Sequence, residues 1–222
     1  MTSKERLPRE VIAMRIASEL QDGWYVNLRI GLPTLIANYI PSAKTVFFHS
    51  ENGVLGVGPM PEADQEDPDL CNAGGQPITL IQGACLMDHP AAFAMVRGRH
   101  LDLAVLGGLQ VSEKGDLANW IRPERGVGGI GGAADIARGA KRIYVAMEHT
   151  TREGEPKIVP SCSFPLTATG VVNAIFTDLA VIRVSAEGLV LEEVAPGWSL
   201  EEVQAATGAP LRVADGVKEI SL

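Results

Sequence analysis

The stretch that decides the architecture is Thr45-Val46-Phe47-Phe48-His49-Ser50-Glu51-Asn52-Gly53-Val54-Leu55-Gly56-Val57-Gly58-Pro59. Its first five residues are mostly β-branched or aromatic, a run suited to a buried strand. Ser50-Glu51-Asn52-Gly53 closes it, and Asn-Gly lets a chain reverse sharply. A strand that ends in a carboxylate and a turn fits an open α/β sheet, in which ligands sit at the carboxyl ends of strands. Upstream, Ile12, Ile16 and Leu20 recur with helical spacing, which predicts a helix over 8–22 stopped by Gly23. Residues 24–30 read as a strand that enters the turn Gly31-Leu32-Pro33, with a short helix over 34–39.

Downstream, strands are expected over 78–83, 101–106 and 142–147. Helices are expected over 91–97 and from the glycine run at 126–134 to about Gly139. Residues 179–184 and 189–194 flank Glu187-Gly188 and read as a β-hairpin. Ser199-Leu200-Glu201-Glu202 matches a capping box, with Gly208 closing that helix. Alternating strands and helices predict a single α/β domain over 1–222. Its sheet is open, mostly parallel and flanked by helices, with the hairpin near the C-terminus.

Composition narrows the classes of function. The 222 residues are 46% hydrophobic and 21% charged, which excludes a disordered or collagen-like chain. Acidic residues outnumber Lys plus Arg by 27 to 19, and the formal charge is −8. Such a chain repels phosphate backbones, so nucleic acid is not the expected partner. No run approaches the ~20 apolar residues of a membrane-spanning helix. The N-terminal residues carry Lys4, Arg6, Arg9 and Arg15 and do not read as a secretory signal. Cys71, Cys85 and Cys162 lack metal spacing and fit reduced thiols in a cytoplasmic protein.

Several groups could carry chemistry. Glu51 could sit at a crevice with Gly53, Gly56 and Gly58 giving a large ligand room, or be a solvated acid on a surface turn. Asn27 could face the same crevice or be an ordinary strand residue. His49 and Ser50 do not make a nucleophile pair, because neighbouring strand residues point to opposite faces and the Gly-x-Ser-x-Gly elbow is absent. His49 reads as a packed strand residue. The four histidines show no zinc spacing, and the acidic residues of 60–70 read as a solvated loop, so no metal is expected. Gly126-Val127-Gly128-Gly129-Ile130-Gly131 matches a dinucleotide fingerprint, with Glu148 about 20 residues on, but the strand required before it is missing. What remains is a glycine-bare helix start at Gly131-Gly132-Ala133, suited to an anion or a developing oxyanion.

Taken together, these segments resemble one family. Ser50-Glu51-Asn52-Gly53-Val54-Leu55-Gly56-Val57-Gly58-Pro59 resembles the glutamate motif of the beta subunits of class I 3-oxoacid CoA-transferases. Asn27 with Ile30-Gly31-Leu32-Pro33-Thr34 agrees, as do Asn72-Ala73-Gly74, Gly115-Asp116-Leu117-Ala118-Asn119-Trp120, Gly131-Gly132-Ala133, Met147-Glu148-His149, Pro165-Leu166-Thr167 and Thr177-Asp178-Leu179-Ala180-Val181. The likeness runs from about residue 8 to 210.

The resemblance implies a fold of the CoA-transferase type. It also implies transfer of CoA from an acyl-CoA, with succinyl-CoA the expected donor, to a 3-oxoacid such as acetoacetate or 3-oxoadipate. Glu51 maps onto the catalytic glutamate that carries CoA as a thioester. Gly132, with Gly131, maps onto the oxyanion-binding backbone, and Asn27, Arg29, Gly31, Asn52 and Gly53 fall at positions near CoA or substrate. CoA is then a substrate, and no cofactor is expected. The expected partner is a separate alpha subunit in a cytoplasmic heterotetramer of two alpha and two beta chains. An acyl-CoA hydrolase or a non-catalytic CoA-binding subunit would share the motif. Two positions depart from the family pattern: Arg29 stands where Gly is usual, and Gly75 where Lys or another polar residue is frequent.

Overall fold

The computed structural model describes residues 4–126 and 128–221. The chain opens with helix α1 (Arg9–Glu19) and strand β1 (Tyr25–Leu28), then a 3-10 helix (Leu32–Tyr39). Strands β2 (Phe47–Ser50), β3 (Val54–Val57) and β4 (Leu80–Leu86) follow, then α2 (His89–Arg97) and β5 (Leu103–Leu106). Short strands β6 (Gln110–Ser112) and β7 (Leu117–Ala118) precede α3 (Ala133–Gly139) and β8 (Ile143–Ala146). The chain ends with β9 (Ile158–Val159), β10 (Val172–Phe176), β11 (Ala180–Ser185), β12 (Gly188–Val194), α4 (Leu200–Ala206) and β13 (Leu211–Glu219).

Ten strands make one sheet in the order β13-β12-β11-β10-β8-β5-β1-β2-β3-β4, and β7, β6 and β9 form a small second sheet. The five central strands, β10-β8-β5-β1-β2, are parallel throughout. Antiparallel pairs continue the sheet from β2 to β4 and from β10 to β12, and β13 lies parallel on β12. The mostly parallel α/β architecture and the hairpin at Glu187-Gly188 are as expected from the sequence.

The central strands are buried on both faces, as parallel strands covered by helices must be. In β5, Leu103 and Val105 join the core beneath α1, while Ala104 and Leu106 join the core beneath α2 and α3. β8 divides in the same way, Tyr144 and Ala146 against Ile143 and Val145. This is the period-2 alternation of side chains along a strand. Ile12 and Ile16 of α1 are buried, as their spacing predicts, and so is Leu20, although the helix expected to run to 22 ends at Glu19 and Leu20 is its extended C-cap.

Some elements differ from expectation. Residues 54–57 are a strand, not only a glycine-rich turn. The strand expected over 78–83 begins at Leu80 and lies largely exposed at the sheet edge. The helix over 34–39 is 3-10 and starts at Leu32. β10 and β13 fall outside the strands expected from pattern; the polar and charged residues of β13 suit an exposed edge and hide its alternation. The capping box at Ser199 and Glu202 forms, although the helix stops at Ala206 with Thr207 as its C-cap.

Candidate active site

The site arises from strand register. β1 and β2 are parallel, with Asn27 opposite His49. Two residues further along each chain, both strands have ended, and Arg29 meets Glu51. Arg29 Nη1 donates to Glu51 Oε1 at 3.0 Å and to Oε2 at 3.1 Å. β1 also pairs with β5 on its other side, and Arg29 N–H donates to Val105 O at 3.0 Å. The strand order therefore reverses at β1, and the crevice at such a switch point is where open α/β sheets bind ligands.

Glu51 opens a three-residue loop between β2 and β3, because Ser50 pairs directly with Val54. Gly53 N–H donates to Ser50 O at 3.0 Å, and Gly53 takes φ +111°. Only glycine fits here, since a Cβ would lie 2.1 Å from Met87 O. The loop is held from below as well. Ser50 Oγ accepts from Ala73 N–H at 3.0 Å, which docks the Asn72-Ala73-Gly74 turn on the end of β2.

The chain before β8 brings the glycine run to the same edge. Gly132 is the N-cap of α3, and a Cβ built on it would stand 3.0 Å from Glu51 Oε2 and 2.6 Å from Phe93 Cζ. A Cβ on Gly131 would stand 3.7 Å from Arg29 Nη2. The glycines thus set no side chain of their own against the carboxylate or the arginine. Glycine also lets α3 close on α2, since a Cβ at Gly139 would lie 2.3 Å from Val96 O.

A buried relay supports this layer. Asn27 Nδ2 donates to His49 O and Nδ1, both at 3.1 Å. His49 Nε2 lies 3.2 Å from Ala92 O of α2, so Nε2 carries the proton and Nδ1 accepts from Asn27. Burial holds the His49 pKa below its usual value, against the raising effects of that hydrogen bond and of Glu51. His49 is thus the packed strand residue that its sequence position indicated. Asn27 lies behind the site, with Oδ1 buried and unpartnered among the described residues.

The sequence candidates divide accordingly. Glu51, Arg29, Gly131 and Gly132 converge. Asn27 and Gly53 lie beneath them as supports. Asn52 turns away and donates to Cys71 O at 2.8 Å. Gly31 has φ +103° and begins the 3-10 helix, its carbonyl accepting from Thr34 Oγ1 at 2.8 Å. The turn bearing Gly75 packs on the residue after Arg29, since a Cβ at Gly74 would be 2.8 Å from Ile30 Cγ1. Phe93 carries no signal in the sequence; only packing brings it to Gly132. Of the fingerprint-like run, Val127 lies outside the described residues, and Glu148 pairs with Arg9 at 2.7 Å and Lys157 at 3.7 Å. Among the described residues, no cluster of His, Cys, Asp and Glu could hold a metal. No helix there is long and apolar enough to cross a membrane.

This mostly parallel α/β fold is the one seen in solved CoA-transferases. Among solved structures, an acyl-CoA transferase of Escherichia coli O157:H7, in a thioester complex with CoA, superposes with a TM-score of 0.77 at 18% identity. The comparison covers all of this chain and 44% of that one. Glutaconate coenzyme A-transferase of Acidaminococcus fermentans gives a TM-score of 0.70 at 19% identity, over 96% of this chain and 88% of that one.

Sequence comparison carries the assignment further. The coenzyme A transferase family model matches residues 9–206. The beta subunit of 3-oxoadipate CoA-transferase from Pseudomonas putida is 50% identical over 95% of this chain and 99% of its own. The beta subunit of succinyl-CoA:3-ketoacid coenzyme A transferase from Helicobacter pylori is 48% identical over 92% and 99%. The chain belongs to the coenzyme A transferase family, as an enzyme chain of the 3-oxoacid CoA-transferase beta-subunit type.

Proposed function

We propose that this chain supplies the glutamate, Glu51, that carries CoA as a thioester in a transferase that moves CoA from succinyl-CoA to a 3-oxoacid such as acetoacetate or 3-oxoadipate. The observation that carries this reading is the approach of Glu51 Oε2 to within 3.0 Å of the Cβ position that Gly132 leaves bare. The glutamate is about one-fifth exposed, and Gly132 sets no side chain of its own against it.

The steps follow from the groups. Glu51 carboxylate attacks the thioester carbonyl of the donor and expels CoA thiolate, leaving a mixed anhydride. The thiolate attacks the Glu51 carbonyl carbon, the C–O bond to the acyl group breaks, and the donor acid leaves as its carboxylate. Glu51 is now a CoA thioester. The acceptor carboxylate reverses both steps and regenerates free Glu51. Covalent catalysis of this kind divides one hard exchange into two easier ones.

A carboxylate is a weak nucleophile, so the barrier must fall through donors aimed at the tetrahedral oxyanion. Gly132 backbone N–H is assigned that role. One such donor is worth ~2.7–4 kcal/mol in other enzymes. The free acyl-CoA and acid are the only reactants in this scheme, and it needs no cofactor.

Arg29 and Glu51 lie outside the cleft lined by Thr34, Ser50, Asn72 and Ile78, and open onto the surface. In the reading proposed here an alpha subunit covers that opening, in a cytoplasmic heterotetramer of two alpha and two beta chains. Both bacterial relatives are named as one subunit of a larger enzyme, which fits that reading.

The test is mass spectrometry of the chain with its alpha partner after incubation with succinyl-CoA. A CoA adduct on the peptide bearing Glu51, absent in Glu51→Gln, is expected. Full turnover by Glu51→Gln defeats the reading. Release of free CoA at the same rate with and without acceptor acid would make the protein an acyl-CoA hydrolase.

A further inference from the structure

Arg29 spends a single nitrogen on Glu51. Nη1 straddles both carboxylate oxygens, while Nη2 lies toward Gly131, 3.7 Å from the position that a Cβ there would occupy. The arginine side chain is 21% exposed. A guanidinium cannot lose its proton in a folded protein, so its charge is constant through turnover. The charge on Glu51 is not constant. In the scheme above, the carboxylate becomes neutral when it joins an acyl group or CoA sulfur. Arg29 then stands beside a neutral carbonyl, at the moment when the donor acid is released from that same carbonyl carbon as an anion.

We propose that Arg29 is the carboxylate-exchange residue of this enzyme, pairing with Glu51 in the free protein and with the carboxylate of the leaving or entering acid while Glu51 carries CoA. This inference rests on Glu51 being the carrier. Charge balances over each half-reaction: the negative charge that Glu51 loses passes to CoA thiolate at the anhydride stage and then to the departing acid carboxylate beside the arginine, and an entering carboxylate returns it to Glu51 by the same route. Proton transfer is not required at either stage. The arrangement also favours acids over water as acceptors, because neutral water cannot supply the anion that Arg29 has lost.

The experiment uses the chain assembled with its alpha partner and loaded from succinyl-CoA, with the thioester on the Glu51 peptide followed by mass spectrometry. Loaded wild type, Arg29→Gln and Arg29→Lys are then discharged either by acetoacetate or by neutral hydroxylamine. All three are expected to load. Arg29→Gln is expected to need at least ~10-fold more acetoacetate for half-maximal discharge, the loss expected for a charge-assisted contact. Arg29→Lys should fall between the two, and discharge by hydroxylamine should be the same in all three. An unchanged acetoacetate dependence in Arg29→Gln overturns the proposal, as does an equal loss with hydroxylamine. Loading by wild type but by neither variant also overturns it, because the arginine would then serve Glu51 alone. If wild type itself forms no thioester, the Glu51 reading fails first and takes this one with it.

Discussion

Gly132→Ala adds one methyl group at the point where the chemistry is placed. The backbone tolerates it, since Gly132 has φ −78° and ψ 1°, ordinary for alanine. The obstruction is spatial. The new Cβ would lie 2.6 Å from Phe93 Cζ and 3.0 Å from Glu51 Oε2. Phe93 is buried, and its ring lies 4.7 Å from that of His89 at a tilt of 35°, so it cannot simply swing aside. Overpacking of this kind costs about 1–3 kcal/mol of stability. The carboxylate cannot retreat freely either, being held by Arg29. A displacement of about 1 Å at a reacting group can reduce rate by ~10²-fold, so thioester formation on Glu51 should slow by roughly that factor.

The double variant Gly132→Ala with Phe93→Leu separates the two effects. It makes room on the side of the ring, so the strain imposed by the methyl should be relieved relative to Phe93→Leu alone. The rate should stay low, because the methyl still faces Oε2. Thermal unfolding and single-turnover thioester formation measure the two quantities. A wild-type rate in Gly132→Ala, or full recovery of rate in the double variant, would refute the placement of Gly132 against the nucleophile.

Two further outcomes follow from the same geometry. Gly53→Ala combines a positive φ with a Cβ 2.1 Å from Met87 O, and should lose about 2–4 kcal/mol in denaturant unfolding; stability within experimental error of wild type would contradict the loop geometry. His149 is buried between Thr177 Oγ1 and Thr207 Oγ1, both at 2.8 Å, and desolvation lowers its pKa to about 4, outweighing the raising effect of Asp178. Because the folded pKa lies below the ordinary 6.5, the unfolded chain binds the proton first, so this contribution is fully present above pH 6.5 and lost as pH falls toward 4, on the order of 3 kcal/mol in all. Denaturation of wild type and His149→Gln at several pH values in that window checks it, and parallel slopes for the two proteins would exclude the effect.

The sequence legibly encoded whatever depends on local pattern. The apolar runs around residues 103–106 and 143–146 have the length and β-branched content of buried strands, and Ile12, Ile16 and Leu20 recur at a spacing that gives a helix one apolar face. Ser199 and Glu202 are three residues apart, so their mutual cap is a local event. Glu51 followed by Asn52-Gly53 marked a strand end and a reversal, and the order of motifs around it marked the family. β13 escaped because its residues face solvent, and β3 because its glycines look like turns. Arg29 could be recognised only as a departure from a pattern. That it grips Glu51 depends on parallel pairing of β1 and β2 with Asn27 opposite His49, a register between strands 22 residues apart. Phe93 against Gly132 likewise needs α2 and α3 packed on one face of the sheet. Local propensity selects the elements, but the charges that meet at strand ends are set by which strands become neighbours, and only the assembled core decides that.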